Sequence, residues 1–138
     1  MGRIVAIDYG SKRVGLAVTD PLQIIATALD TVHSKDVIAY LKAYEAKEGI
    51  DVFVVGMPKR LDNTETNATP LVKAFVKNLQ KNFLSIPVYL HDERFTSSMA
   101  LQTMIDGGMK KKDRQVKGNV DKISATIILQ SFLEQKNH

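Results

Sequence analysis

The sequence predicts an α/β fold in which five strands form one mixed sheet that is flanked by helices. Two observations support this prediction. Up to residue 32, three consecutive apolar runs are separated by short turns, which is the pattern of an antiparallel meander. After residue 34, segments with helical spacing alternate with short apolar runs, which is the pattern of αβ units. The predicted order is therefore βββαβαβαα, with helices packed on the sheet.

The first three strands are predicted over residues 3–8, 14–19 and 23–32. A loop that contains Gly10 separates the first two, as expected for a hairpin. Asp20 and Pro21 mark the next turn, because proline cannot extend a ladder and aspartate hydrogen-bonds to nearby backbone.

The rest of the chain alternates between helices and strands. Residues 52–55 form a continuous apolar run, which suits a parallel strand buried on both sides. In chain order we predict a helix capped by Ser34 and ended by Gly49, a strand over 52–55, a helix over 70–79, a strand over 87–91, a helix from Thr96 to Ile105, and a last helix capped by Asn119.

Composition indicates an ordinary globular protein. The 138 residues suit a single domain over 1–138, and 44% of them are hydrophobic. There are no cysteines, so neither disulfides nor thiolate metal sites can form. No apolar run approaches the ~20 residues of a membrane span, and the N-terminal run is too short for a signal peptide. We therefore expect a soluble, cytoplasmic protein without a membrane partner.

Carboxylates stand at the ends of three predicted elements. Asp8 ends the first strand, Asp92 and Glu93 follow the fifth, and Asp121 lies in the first turn of the last helix. Each also has a structural explanation, as a turn residue, an ion-pair partner or a helix-dipole partner. Together they are the oxygen donors that Mg²⁺ prefers, with Mn²⁺ as a substitute. Two such ions ~4 Å apart can support phosphodiester cleavage.

Basic residues are concentrated just before Asp121. The net charge is only +4, but five of the 19 basic residues fall within positions 110–117. This segment is either a solvated loop or a grip on phosphates, and its position favours the second. The candidate nucleic-acid-binding residues are Lys12, Arg13, Arg94, Lys110, Lys111, Lys112, Arg114 and Lys117.

Few side chains suggest recognition of bases or binding of zinc. Tyr9 and Phe95 are the only candidates for base stacking that we single out. The three histidines are not spaced as zinc ligands, and His91 is interpreted only as the end of its strand. We therefore expect recognition of backbone and shape.

Four segments in order resemble the motifs of the YqgF/RuvX family. They are Asp8 to Asp20, Val55-Gly56-Met57-Pro58, Asp92 to Ser97, and Asp121 to Gln130. The resemblance covers essentially the whole chain. It implies a ribonuclease H-like fold, a relation to Holliday junction resolvases and a role in processing precursor 16S rRNA. It also implies that Asp8, Glu93 and Asp121 are the catalytic acids. One departure is visible: Leu61-Asp62-Asn63 replaces the family's Asp-Gly turn, which leaves the shape of the 58–66 loop open.

Several functions remain open at this point. The main hypothesis is a Mg²⁺-dependent endonuclease, acting on the 5′ end of precursor 16S rRNA or on a four-way DNA junction. A non-catalytic RNA-binding maturation factor and a nucleotide-binding protein related to actin-like ATPases are the alternatives. A nucleotide-binding protein of the actin-like kind would need two lobes, and 138 residues supply one. Expected partners are nucleic acid and ribosomal or processing factors, with the chain a monomer or weak homodimer.

Overall fold

The computed structural model describes residues 2–10, 12–57, 69–92 and 117–136. Its strands are β1 (Arg3–Tyr9), β2 (Arg13–Thr19), β3 (Ala26–His33), β4 (Ile50–Met57) and β5 (Val88–Asp92). Its helices are α1 (Val37–Glu48), α2 (Thr69–Asn82) and α3 (Lys117–Lys136). The predicted helix from Thr96 to Ile105 lies outside the described residues.

The five strands form one mixed sheet in the order β3-β2-β1-β4-β5. β1 pairs antiparallel with β2, and β2 pairs antiparallel with β3, as predicted for the meander. β4 lies between β1 and β5 and is parallel to both. The continuous apolar run of β4 therefore occupies the central parallel position that its sequence predicts.

Helices cover both faces of the sheet. One face packs against α1 and α2 through a large apolar cluster that includes Val5, Ile7, Phe53 and Val55. The other packs against α3 through a smaller cluster that includes Ile4, Ala6, Ala17 and Val54. Because successive strand residues point to opposite faces, the alternation in β1 assigns Ile4, Ala6 and Asp8 to the α3 side.

Two predicted helix caps are wrong. Helix α1 begins at Val37, and Asp36 occupies the N-cap position without a side-chain hydrogen bond. Ser34 lies two residues before that position, and its backbone N–H donates to the Lys12 carbonyl at 3.1 Å. Helix α3 begins at Lys117, so Asn119 lies inside its first turn. In contrast, Gly49 ends α1 as predicted, with φ of 80° and its N–H donating to Glu45.

The turn between β2 and β3 is built around Asp20, as predicted. Its carboxylate accepts hydrogen bonds from the backbone N–H groups of Ile24 and Ile25, each at 2.8 Å. These bonds, with that of Ile25 the strongest, lower the pKa of Asp20 below its usual 3.8. Gln23 adopts a left-handed backbone with φ of 60°, and its side-chain amide donates to the Gly2 carbonyl and to Asp51. The turn is thereby fixed against the start of β1 and β4.

Candidate active site

Asp8 lies near the carboxyl end of β1, on the sheet face that α3 covers. The strand before it is buried, whereas Asp8 itself is half-buried. β1, β4 and β5 are parallel, so their carboxyl ends meet at one edge of the sheet. This edge is where α/β folds commonly assemble their sites.

Glycines flank Asp8 on both neighbouring strands. Asp8 is the register partner of Gly15 in β2, and because Ile7 pairs with Val55 in β4, Asp8 lies beside Gly56. Gly56 in turn pairs with His91 in β5. The row across the sheet is therefore Gly15, Asp8, Gly56 and His91. The register positions that flank Asp8 in β2 and β4 are therefore both glycines, which is an arrangement that allows a ligand or another backbone to approach closely.

Two features hold the end of β1: a ring contact on the sheet face opposite Asp8, and a tight turn. The Tyr9 ring stacks on Phe75 of α2 with ring centroids 4.3 Å apart. This contact packs Tyr9, one of the two candidates for base stacking, against the core on the α1 and α2 side, which agrees with the expected recognition of backbone and shape. The Gly10 N–H donates to the Arg13 carbonyl at 3.0 Å, and a Cβ at Gly10 would lie 2.6 Å from that oxygen. Only glycine fits at this position of the turn, which is two residues after Asp8.

The end of β5 carries a buried histidine. His91 is 9% exposed, and its Nε2 lies 2.8 Å from Ser131 Oγ of α3. Sequence reasoning interpreted His91 only as the end of the strand, because its partner lies 40 residues away in the chain. Asp92 ends the strand as the register partner of Met57. Glu93, the next residue and a predicted catalytic acid, lies outside the described residues.

Helix α3 carries the third predicted acid. Asp121 is the fifth residue of the helix, and its side chain lies outside the described set. The helix contacts β1, β2, β3 and β4, and reaches β5 through Ser131 and through Phe132, whose ring centroid lies 5.8 Å from that of Tyr89. α3 therefore crosses the whole sheet on the face that carries Asp8.

Two predicted phosphate-binding residues are described, and both are exposed at the edge where Asp8 lies. Lys12 lies in the β1–β2 turn, and Arg13 begins β2 as the register partner of His33. Lys117 begins α3, but its side chain is not described. Arg94, Lys110, Lys111, Lys112 and Arg114 lie outside the described residues.

The one predicted metal ligand whose side chain is described, Asp8, fits a hard cation. Among residues 2–10, 12–57, 69–92 and 117–136, no three His, Asp or Glu side chains gather as a metal site. Of the three predicted ligands, the side chain of Asp8 alone belongs to that set. Its carboxylate oxygens, between two glycines that leave room for water and phosphate, match the preference of Mg²⁺ for oxygen ligands. No described helix is long and apolar enough to span a membrane.

Comparison with known sequences places the chain in a family. A sequence profile for RuvX, described as Holliday junction resolvase, matches residues 2–135. A protein of Amoebophilus asiaticus is 52% identical over 139 residues, which cover 100% of this chain and 99% of that protein. A protein of Flavobacterium psychrophilum is 48% identical over 136 residues, with 99% of each chain covered. Both relatives are provisionally named pre-16S rRNA nucleases.

Comparison with solved structures addresses the fold. RuvC of Thermus thermophilus in complex with a Holliday junction substrate matches with a TM-score of 0.60 and 16% identity, covering 99% of this chain and 96% of RuvC. A second structure of Thermus thermophilus RuvC gives a TM-score of 0.55 at 14% identity, covering 98% of this chain and 96% of RuvC. At such low identity the likeness establishes the fold alone. The chain therefore belongs to the RuvX family and has the ribonuclease H-like fold that it shares with RuvC.

Proposed function

We propose that this protein is a metal-dependent endonuclease that processes precursor 16S rRNA, with Asp8, Glu93 and Asp121 as catalytic acids and metal ligands. The observation that carries the proposal is the position of Asp8. Its carboxylate lies half-buried between Gly15 and Gly56, at the edge where three parallel strands end. The two glycines add no side chain next to this carboxylate, which allows a cation and a phosphate to approach from their direction.

A second carboxylate follows β5 in the sequence. His91 lies two strands from Asp8, which corresponds to ~10 Å at the usual spacing between strands. β5 ends at Asp92, and Glu93 is the next residue in the sequence. The family resemblance and the end of this parallel strand support Glu93 as the second acid.

The length of α3 supports the third carboxylate. Asp121 precedes Ser131 by ten residues, which is ~15 Å along a helix axis. Ser131 lies at β5, and ~15 Å is close to the distance from β5 to the strands β1 and β2. The contacts of α3 with β1, β2 and β3 agree with a helix that crosses the sheet from β5 toward β3 and passes over the strand of Asp8.

Mg²⁺ is the proposed cofactor, and Mn²⁺ should substitute for it. Asp8, Glu93 and Asp121 would hold the cation, which when bound activates water and stabilises the leaving oxygen of a phosphodiester. The protein's own part is to fix three acids on separate elements and to hold the substrate phosphate near them. We assign that second task to Lys12, Arg13, Arg94, Lys110, Lys111, Lys112, Arg114 and Lys117.

RNA is the proposed substrate because of the relatives. Proteins 48–52% identical over nearly their full length carry the pre-16S rRNA name, whereas the RuvX profile is described by junction resolution. Resolving a four-way junction takes two cuts, hence two active sites in a dimer. We propose a cytoplasmic protein that acts on RNA as a monomer or weak homodimer, with ribosomal or processing factors as partners.

The test uses a labelled precursor-16S RNA fragment and, separately, a synthetic four-way DNA junction, each with Mg²⁺. Wild type should cleave the RNA, and EDTA should abolish the cleavage. Asp8→Asn keeps the shape but removes the charge, and should lower the cleavage rate at least ~100-fold. Asp51→Asn is the matched control, because Asp51 lies at the opposite end of the sheet on β4, and it should cleave like wild type.

The other outcomes point to specific alternatives. Cleavage of the junction alone would replace RNA by branched DNA as the substrate. Tight RNA binding without cleavage, at any Mg²⁺ or Mn²⁺ concentration, would overturn the nuclease in favour of a binding factor. Equal rates for Asp8→Asn and wild type would remove Asp8 from the catalytic group.

A further inference from the structure

The outer side of α2 carries three lysines in line, which we call the α2 lysine row. Lys73, Lys77 and Lys81 follow one another at intervals of four residues, and all three are exposed. Residues four apart lie on one side of a helix, each about 6 Å further along its axis. The other side of α2 packs in the apolar cluster on the sheet, so the α2 lysine row belongs to the outer surface of the protein.

The charge of α2 is not balanced within the helix, in contrast to that of α1. α2 contains three lysines and no aspartate or glutamate, which gives it a charge of +3. α1 packs on the same sheet face, and its two lysines and two glutamates cancel; they are Lys42, Glu45, Lys47 and Glu48. Like charges four residues apart destabilise a helix, so the α2 lysine row carries a cost in stability that α1 avoids.

The fold supplies no counter-charge for the outer part of the row within the residues that the structure describes. No ion pair there joins Lys77 or Lys81 to a carboxylate. Lys81 borders an open groove of about 490 Å³ between α1 and the end of α2, and Lys42 lines the same groove. Glu45 also lines it, so two lysines and one glutamate leave a net charge of +1. Positive charge from two helices therefore meets at the end of the α2 lysine row.

The α2 lysine row begins at the edge of the sheet where Asp8 lies. Phe75, which stands between Lys73 and Lys77 in the helix, stacks on Tyr9, the residue after Asp8. From this edge α2 runs back toward the start of β5, and the lysine row runs with it. Asp8 lies on the α3 side of the sheet, so a strand bound at Asp8 reaches the row by passing around this edge.

We propose that the α2 lysine row binds the phosphate backbone of the RNA substrate beyond the stretch that is cut. Lysines that neutralise phosphates release counterions, which is the main source of affinity for nucleic acid. Contacts to phosphates orient a strand without reading its bases, so the row adds affinity and direction but no sequence specificity. This inference rests on the proposed function for the identity of the polyanion, because DNA has the same phosphate chemistry.

The test measures binding of a labelled, single-stranded precursor-16S RNA fragment to the intact protein by fluorescence anisotropy. EDTA is present, so neither a metal nor cleavage contributes, and the titration is repeated over a range of salt concentrations. Each phosphate contact to a single strand adds ~0.7 to the slope of log affinity against log salt, so Lys77→Gln combined with Lys81→Gln should flatten the slope by about 1.4. Lys77→Arg combined with Lys81→Arg keeps both charges and should keep the wild-type slope.

A matched control separates this site from the charge of the whole protein. Lys47→Gln removes one exposed lysine from α1, where Glu48 is the next residue. It should leave the slope unchanged, whereas Lys77→Gln alone should flatten it by ~0.7. Glutamine and lysine have similar helix propensities, so the glutamine variants of α2 should melt at or slightly above the wild-type temperature.

The outcomes distinguish this inference from the proposed function. An unchanged slope in the double glutamine variant, or an equal flattening by Lys47→Gln, overturns the α2 lysine row as a binding surface while the nuclease stands. Weaker binding of a four-way DNA junction by the double variant, with RNA binding intact, overturns RNA as the ligand of the row. If the predicted slopes are found but wild type cleaves no RNA with Mg²⁺, the row stands and the nuclease fails.

Discussion

The two faces of the sheet are built from side chains of different size. Toward α1 and α2, β1 and β4 present Val5, Ile7, Phe53 and Val55, all fully buried. Toward α3, the same strands and β2 present two large apolar residues, Ile4 and Val54, and otherwise alanine, glycine, aspartate and threonine. The smaller members of this second group are Ala6, Asp8, Gly15, Ala17, Thr19 and Gly56.

The difference separates stability from chemistry. Large apolar side chains bury the most area, and each stabilises the fold by ~1.5–3 kcal/mol. Small residues bury less, but they let the backbone of α3 approach the sheet and leave room beside a carboxylate. One face therefore holds the fold together, while the other gives up apolar area to hold polar groups in place.

The largest expected effect on stability comes from the bulky face. Phe53 is fully buried in the central strand, and its ring lies 5.0 Å from that of Phe83. Phe53→Ala should lower the free energy of unfolding by ~3–5 kcal/mol, measured by urea denaturation. Cleavage per folded molecule should stay near that of wild type. A large loss of cleavage at full folding would contradict the division between the faces.

A larger side chain on the sheet face that carries Asp8 should lower stability less than Phe53→Ala does, but should lower RNA cleavage more. Ala6 is fully buried two residues before Asp8 and packs in the α3 cluster. Ala6→Leu should lower the free energy of unfolding by ~2–3 kcal/mol, because α3 must move outward to make room. RNA cleavage by the folded fraction should fall at the same time. Ala6→Gly, which adds no volume, is the control and should cleave well.

A smaller effect is expected for a hydrogen bond on the same face. The Ile4 backbone N–H donates to Thr19 Oγ1 at 3.0 Å, and both residues are buried. Thr19→Val keeps the shape but leaves this donor without its acceptor, which should cost ~1–2 kcal/mol in urea denaturation. Thr19→Ser keeps the oxygen and should recover most of the loss. Equal stability of the valine and serine variants would show that the bond contributes little.

The smallest expected effect on stability concerns the turn between β2 and β3, which belongs to neither face of the sheet. The pKa of Asp20 is lowered in the folded protein by the amides of Ile25 and Ile24. The stabilisation is therefore fully present above the unfolded value of about 3.8 and is lost as pH falls below it. Wild type should lose melting temperature as the pH falls below about 4, and Asp20→Asn should reduce this loss. Identical acid profiles of the variant and wild type would contradict this assignment.

Sequence periodicity predicted the features that depend on near neighbours along the chain. The apolar runs at residues 3–8 and 14–19 correctly predicted β1 and β2, and the run at Val52–Val55 correctly predicted a central parallel strand. Both follow from the period of a strand alone.

Contacts between residues far apart in the sequence could not be predicted from periodicity. Ser34 has the chemistry of a helix cap, but its backbone pairs with Lys12 and the N-cap position falls at Asp36. His91 gave no sign of its partner Ser131, and the glycines on either side of Asp8 become neighbours only through strand register. The candidate site was thus predicted by residue type, while its supporting contacts required the fold.

The position of α3 at the far end of the described chain has a consequence for biosynthesis. Residues are made in order, so all five strands exist before Lys117–Lys136 is synthesised. Until then Ile4, Ala6, Ala17 and Val54 lack their cover, which leaves an apolar surface prone to association. The same delay postpones the docking of α3 on the sheet face that carries Asp8, so the site that we propose around Asp8 would be completed only after this helix has docked.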